Sequence, residues 1–318
     1  MHLDARKEAL LNEYKGNLFE FLVAGQIAKS KNCESLFLKS INPSFSNMLK
    51  QQESYIRSFY PELLTKLPIL AKSLADSICI KLSIDKVENI SLIGKTAATN
   101  VSEHLGEADL IITSSKKEYL ISVKLNKASA ATNTKSAGVK SFLVKYFDDA
   151  QNIQQEVNKN FDKLFDEFSF SLHSENALEW DRNFNEWAMR GLPSLPGELT
   201  GKNRQLYLDF IHKASALYYK AVKDLSLGPN FHKSIFSLIG FSKNEIIQAT
   251  CYHKKNYSHG DFQVISIDDT IGEEFEIIER KGTSYFEIKF KSLSLLIRIK
   301  AMNKFINKSF KVNCSVKY

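Results

Sequence analysis

Apolar residues recur at helical spacing through the first part of the chain and at strand spacing through the last. Leu18, Phe19, Leu22, Val23 and Ile27 follow Gly16 in the three- and four-residue rhythm of one helix face. A second helical zone runs from about Ser46 to Leu82, with breaks expected near Pro61 and Pro68. The period then changes. Ile90–Gly94, Ala108–Thr113 and Tyr119–Leu125 read as strands, the last two joined by the polar hairpin Ser114-Ser115-Lys116-Lys117-Glu118. Helical spacing returns over residues 137–190, where Val139, Phe142, Leu143, Tyr146 and Phe147 give one apolar face. Leu192-Pro193-Ser194-Leu195-Pro196-Gly197 is the clearest breaker in the chain, and a helix follows over Asn203–Leu225. After Gly228-Pro229 the pattern predicts strands over Ile246–Tyr252, Phe262–Ile267, Phe275–Glu279, Tyr285–Phe290, Leu293–Ile299 and Phe310–Val316.

This order predicts a mixed α/β (α+β) protein. It has N-terminal helices and a three-strand core within residues 1–150, a helical insertion over 151–228 and a β-rich part over 229–318. A chain of 318 residues with 43% hydrophobic and 25% charged content can bury one large core or two modest ones, so disorder is not expected over most of it. Cys33, Cys79, Cys251 and Cys314 form no C-x-x-C pair, which argues against a zinc ribbon or a redox motif and suits a reducing cytoplasm. The charged start Met1-His2-Leu3-Asp4-Ala5-Arg6-Lys7-Glu8 argues against a signal peptide, and no long uncharged apolar run predicts a membrane span.

Candidate chemistry concentrates in the hairpin. Asp109 opens one strand, and Ser122 and Lys124 stand two apart near the end of the next, so alternation points them the same way. Lys124 emerges from the apolar run Tyr119-Leu120-Ile121, where a lysine needs a reason. A carboxylate and a lysine brought together at the ends of paired strands suit metal-dependent phosphodiester cleavage.

The order of these residues resembles the PD-(D/E)XK nuclease superfamily and, within it, the type II restriction endonucleases. There a helix supplies a glutamate, and a strand hairpin supplies an aspartate and an acid-x-lysine. The resemblance covers residues 16–147. Glu20 in Gly16-Asn17-Leu18-Phe19-Glu20-Phe21 matches the helix, Asp109 the first hairpin acid, and Ser122-Val123-Lys124 the second strand. Ser122 replaces the usual acid, as in some restriction enzymes, and Ala108 replaces the usual proline. Glu20 is the leading substitute ligand, with Glu107 and Glu156 as alternatives. The resemblance implies Mg²⁺ held by Asp109 and Glu20, Lys124 acting on phosphate charge, and Ser122 at the degenerate acid position. It also implies double-stranded DNA as substrate, a homodimer, and a cognate DNA methyltransferase encoded nearby. The alternatives are a repair nuclease or resolvase on the same core, or a non-catalytic DNA-binding module with a decayed core.

Charge adds a second region. The chain carries a net charge of +7, which fits a nucleic-acid partner without requiring one. From Lys281 onward, nine lysines and arginines stand against the single acid Glu287, interleaved with Tyr285, Phe286, Phe290, Phe305 and Phe310. Alternation places Arg298 and Lys300 on one strand face opposite Ile297 and Ile299. Such a face suits DNA contact, although lysines that guard a sheet edge give the same pattern. The small, hydroxyl-rich stretch 125–141 reads as a loop, with Asn126, Thr134, Lys135 and Lys140 as candidates for backbone phosphates. The segment Lys95–Asn100 has the same character. Gly94-Lys95-Thr96 is not a P-loop, because the leading glycine position falls on Asn89. His253 and His259 lack further ligands for a metal centre, and Trp180 and Trp187 suit a helix face.

Overall fold

The computed structural model describes residues 5–93, 108–128, 130–241, 246–266 and 274–317. In chain order the elements are α1 (Ala5–Ser30), α2 (Glu34–Ser40), α3 (Pro43–Phe59), α4 (Glu62–Lys81), β1 (Asn89–Leu92), β2 (Leu110–Ser114), β3 (Lys117–Lys127) and β4 (Thr132–Gly138). They continue as α5 (Phe142–Tyr146), α6 (Gln151–Glu175), α7 (Asn185–Met189), α8 (Gly201–Leu225) and α9 (Phe231–Ile239). The last strands are β5 (Ile246–His253), β6 (Gly260–Ile265), β7 (Glu276–Ile278), β8 (Tyr285–Lys289), β9 (Ser294–Ala301) and β10 (Phe310–Lys317).

These elements form two compact units, residues 1–130 with 241–271, and residues 131–240 with 272–318. The division differs from the expected 1–150, 151–228 and 229–318. Residues 246–265 join the first unit because β5 lies parallel to β3 over eight pairs, from Leu120↔Ile246 to Lys127↔His253. Residues 132–138 join the second because β4 pairs antiparallel with β10. Each unit is thus closed by pairing between segments far apart in sequence.

In the first unit the sheet order is β1-β2-β3-β5-β6, antiparallel except for the β3–β5 pair. Alternation sorts β3 into two faces. Ile121 and Val123 join Leu110, Ile112, Ile247 and Ala249 in a core with α1 and α4, through Phe19, Val23, Ile27, Leu67, Leu70 and Leu74. Leu120, Ser122 and Lys124 face the other way.

The expected break at Pro68 does not occur; Pro68 lies inside α4. A proline within a helix removes one backbone bond and costs about 3 kcal/mol. Leu63, Leu67, Leu70, Leu74 and Ile78 are all buried along the same helix, each stabilising by about 1.5–3 kcal/mol, so packing wins. The break near Pro61 is real, since α3 ends at Phe59 and α4 begins at Glu62.

The second unit holds an antiparallel sheet of order β4-β10-β9-β8-β7. α6 packs on α8, and α8 lies against β8 and β9. The centre is a cluster of rings. Phe165 touches Phe168, Phe184, Phe210 and Phe310 at centroid separations of 5.7–6.3 Å, and Trp187 is fully buried beside Phe184 and Phe305. Edge-to-face pairs of this kind add roughly 0.5–1.5 kcal/mol each beyond the area they bury. Two further expectations are corrected here. The stretch read as a loop over 125–141 contains the end of β3 and all of β4, a polar strand defined by its partner β10 rather than by apolar alternation. The region after Gly228-Pro229 opens with a helix, α9, before the strands begin.

Both tryptophans of the chain lie in the second unit, so their fluorescence follows its unfolding alone. Phe165→Ala should lower the stability read by tryptophan fluorescence in a urea titration by about 3–5 kcal/mol, the usual cost of truncating a buried phenylalanine. A change under about 1 kcal/mol would mean that the ring cluster does not hold this unit together.

Candidate active site

β2 begins its regular pairing with β3 at Leu110, and Asp109 stands just before it. The Asp109 backbone is held on both sides. Its N–H donates to Ile121 O at 2.8 Å, and its carbonyl accepts from Ile93 N–H at 2.9 Å. Its side chain then takes over from the ladder. Oδ2 accepts from the Val123 backbone N–H at 2.7 Å, from Ser122 Oγ at 3.2 Å and from Lys124 Nζ at 3.1 Å. The carboxylate therefore replaces a strand carbonyl as the acceptor for Val123, which fixes its position to the sheet.

Three donors converge on one oxygen. Among the described residues Oδ1 of Asp109 accepts no hydrogen bond, so that oxygen remains open. The Asp109 side chain is 17% exposed and that of Lys124 is 32% exposed, so the pair is partly screened yet open to a ligand. The structure thus brings Asp109, Ser122 and Lys124 together, as the two-residue spacing implies.

Glu20 is half-buried on α1, the helix that covers the Ile121 and Val123 face of β3. The hydrogen bonds of Asp109 and Lys124 run to the hairpin and not to Glu20. Glu156 is exposed on α6 of the second unit. Glu107 and the segment Lys95–Asn100 lie outside the described residues. Among the described residues, no group of three or more His, Cys, Asp or Glu is arranged to hold a metal ion. Asp109 Oδ1 and Ser122 Oγ still fit a small hard cation, because Mg²⁺ takes one or two carboxylates and keeps several waters.

Two neighbours escaped the sequence reading. Parallel pairing sets Gln248 of β5 beside Ser122 and Thr250 beside Lys124, and both are buried. Their signal was present as polar residues at alternate positions between Ile246, Ile247, Ala249 and Cys251. Only the register of β5 on β3 gives that signal meaning. Val123 escaped for a different reason, because its contribution is a backbone amide that no side-chain motif encodes.

The residues expected at DNA phosphates fare differently. Asn126 continues the Ser122 and Lys124 face of β3. Thr134 Oγ donates within its own unit, with Leu238 O at 2.5 Å and Cys314 O at 3.3 Å. Lys140 pairs with Asp162 at 2.8 Å. Lys135 stands opposite the buried Cys314, and burial, then Lys145, pulls its pKa down to about 8. Arg298 and Lys300 are exposed on β9 between the buried Ile297 and Ile299, as alternation requires. Lys311 pairs with Lys300, Asn313 pairs with Arg298, and the Arg298 guanidinium lies 5.6 Å from the Tyr285 ring centroid. Arg280 binds Glu287 through Nε at 3.0 Å and Nη2 at 2.5 Å, so the lone acid of this segment is already paired. Comparison of the chain with known protein families, with curated proteins and with solved structures finds no match.

Lys135 gives a pH test. Its folded pKa of about 8 lies below the ordinary lysine value. Between those two values the unfolded chain binds more protons, so stability rises with pH across that window. Lys135→Met should therefore raise stability near neutral pH and flatten that rise in urea titrations. An unchanged pH profile would show that Lys135 is solvated in the folded protein.

Proposed function

We propose that the chain is a Mg²⁺-dependent endonuclease of double-stranded DNA, built on the PD-(D/E)XK scheme and acting as a type II restriction enzyme. The observation that carries this reading is the convergence of Ser122 Oγ, Val123 N–H and Lys124 Nζ on one oxygen of Asp109, with the other oxygen open. Asp109 would hold the metal, with Ser122 contacting it through water and Glu20 as a second carboxylate from α1. A bound Mg²⁺ supplies Lewis acidity toward the phosphate and lowers the pKa of a coordinated water. Lys124 stabilises the charge that develops on the phosphate, and Asp109 aims its ammonium. Ser122 and Val123 hold the carboxylate in place, so the lysine does not pull it out of line.

Arg298 and Lys300 support DNA as the partner, since both are exposed on β9 and the half-exposed Lys311 stands beside Lys300 across the ladder. A homodimer and a companion methyltransferase belong to the same proposal by family analogy. One observation favours the second reading, a non-catalytic DNA-binding module: Lys124 and Asp109 already satisfy each other.

Lys124→Ala should slow Mg²⁺-dependent relaxation of supercoiled plasmid by about 10²–10³, with duplex affinity nearly unchanged. Asp109→Asn should remove the activity, since an amide is a poor ligand for a hard cation. Normal turnover by either purified variant would take that residue out of the site.

Arg298 and Lys300 should differ. The planar guanidinium suits bidentate reading of a base edge, worth about 1–3 kcal/mol of discrimination, whereas lysine acts as a point charge. Arg298→Ala should relax sequence preference, and Lys300→Ala should weaken all duplexes alike. Titrations on cognate and scrambled duplexes at two salt concentrations measure this. Unchanged affinity in both variants would leave β9 only as a guarded strand.

A further inference from the structure

The strands β3 and β5 run parallel and end side by side, at Lys127 and His253. In open α/β sheets the carboxyl ends of parallel strands are where ligands bind. Four side chains meet at this end of the first unit. The Lys15 ammonium, on α1, donates to the Tyr257 hydroxyl at 2.9 Å. The Tyr257 ring stacks on His253, with centroids 3.8 Å apart and planes 13° from parallel. His253 Nδ1 donates to Lys254 O at 2.9 Å, which fixes the ring. Lys127 stands beside His253 across the parallel pair.

This arrangement is unusual in its charge. Lys15 is only 9% exposed, yet its partner is a neutral phenol, and a buried lysine ordinarily has a carboxylate. Among the described residues, none of Lys15, Lys127 and His253 has a carboxylate within ion-pair distance. Burial first, then Lys127, lowers the Lys15 pKa, and Glu8 opposes this only from a distance. Burial also lowers that of His253, and Lys15 and Lys127 add to the effect. Tyr257 meanwhile occupies the left-handed backbone region at φ 55°, which a bulky residue adopts only when its surroundings impose it. The hairpin that carries it exposes Lys254 and Lys255 at the rim. Among the described residues the ammonium groups of Lys15 and Lys127 are held close together, with Glu8 and Glu62 acting on the cluster but neither ion-paired to it, and an arriving oxyanion relieves the repulsion between them.

We propose that Lys15, Lys127, His253 and Tyr257 form a phosphate-binding site that takes a backbone phosphodiester of the DNA duplex. The site rests on the nuclease reading for the identity of its ligand. Lys127 follows Lys124 by three residues on one strand, so the two α-carbons are about 10 Å apart. Alternation turns Lys127 to the opposite face of the sheet from Lys124, so the phosphate bound here is not a neighbour of the one addressed by Lys124 but belongs to backbone passing the ends of β3 and β5. The contact is sequence-blind, and its work is to set the register of the duplex on the sheet.

The test uses the full chain with Lys127→Ala, Lys15→Met and the pair together. Methionine keeps the buried stem of Lys15 while removing its charge. A short fluorescent duplex is titrated without divalent metal over a range of salt concentrations, with circular dichroism melts confirming the fold. The double variant should bind every duplex about tenfold more weakly. The dependence of log affinity on log salt should lose about one unit of slope. A folded double variant with unchanged affinity and slope overturns the site. Calorimetric titration with inorganic phosphate separates the sources. Phosphate binding that the double variant loses, with duplex affinity unchanged, makes this a small-phosphate site and overturns the duplex assignment. Wild-type protein that binds no duplex overturns the nuclease reading, and this assignment with it. Wild-type protein that binds and cuts while the double variant matches it overturns the phosphate site alone.

Discussion

The parallel pairing of β3 with β5 is the constraint on which the first unit depends. β3 has β2, the other arm of the Asp109 hairpin, on one side and β5 on the other. Parallel neighbours cannot be joined by a tight turn, and here residues 128–245 lie between them. Closing so long a segment is entropically costly, although the cost grows only slowly with length. It is offset by eight consecutive residue pairs and by the burial of Ile247, Ala249 and Cys251 against the α1 and α4 core. The same pairing sets Gln248 and Thr250 beside Ser122 and Lys124, and His253 beside Lys127. The Asp109 cluster itself is made within the β2–β3 hairpin, and the β5 register supplies its neighbours and the His253 end. A slip of β5 by one residue would turn Gln248, Thr250 and His253 to the opposite face.

Within that frame, Asp109 does two things with one carboxylate. Through Val123 N–H it completes the backbone bonding of β3, and through Lys124 it forms a partly exposed ion pair. The backbone bond decides the geometry, because a charge-assisted bond to an amide is shorter and stronger than one between neutral groups. The ion pair alone would be worth little at this exposure. Its value lies in orientation. It holds the lysine on the side of the strand where Asn126, Gln248 and Thr250 also project.

Much of this was legible from the residues. The two-residue spacing of Ser122 and Lys124, with the intervening apolar Val123, fixes a shared face once the segment is a strand, and Arg298 and Lys300 follow from the same rule. The helices α1 and α8 and all six C-terminal strands are marked by runs of apolar residues at the right period. What could not be read has physical causes. β4 has no apolar alternation, because its order comes from β10. Pro68 signals a break that buried leucines on both sides override. The transfer of 246–265 to the first sheet depends on long-range pairing, which leaves no local mark. Lys15 reads as one more polar residue on a helix until its partner Tyr257, far away in sequence, is known. Thr134 and Lys140 look available in sequence, yet in the structure each is engaged within its own unit.

The account stands on the claim that the Asp109, Ser122 and Lys124 cluster cuts DNA. The most direct measurement is to incubate the wild-type protein with a plasmid of known sequence, with Mg²⁺ and with a chelator, and to sequence every fragment end. The account predicts discrete ends that share one short sequence and that vanish with the chelator. Plasmid that stays intact with Mg²⁺, while the folded protein still binds duplex, would contradict it and leave the cluster as the remnant of a site in a DNA-binding protein.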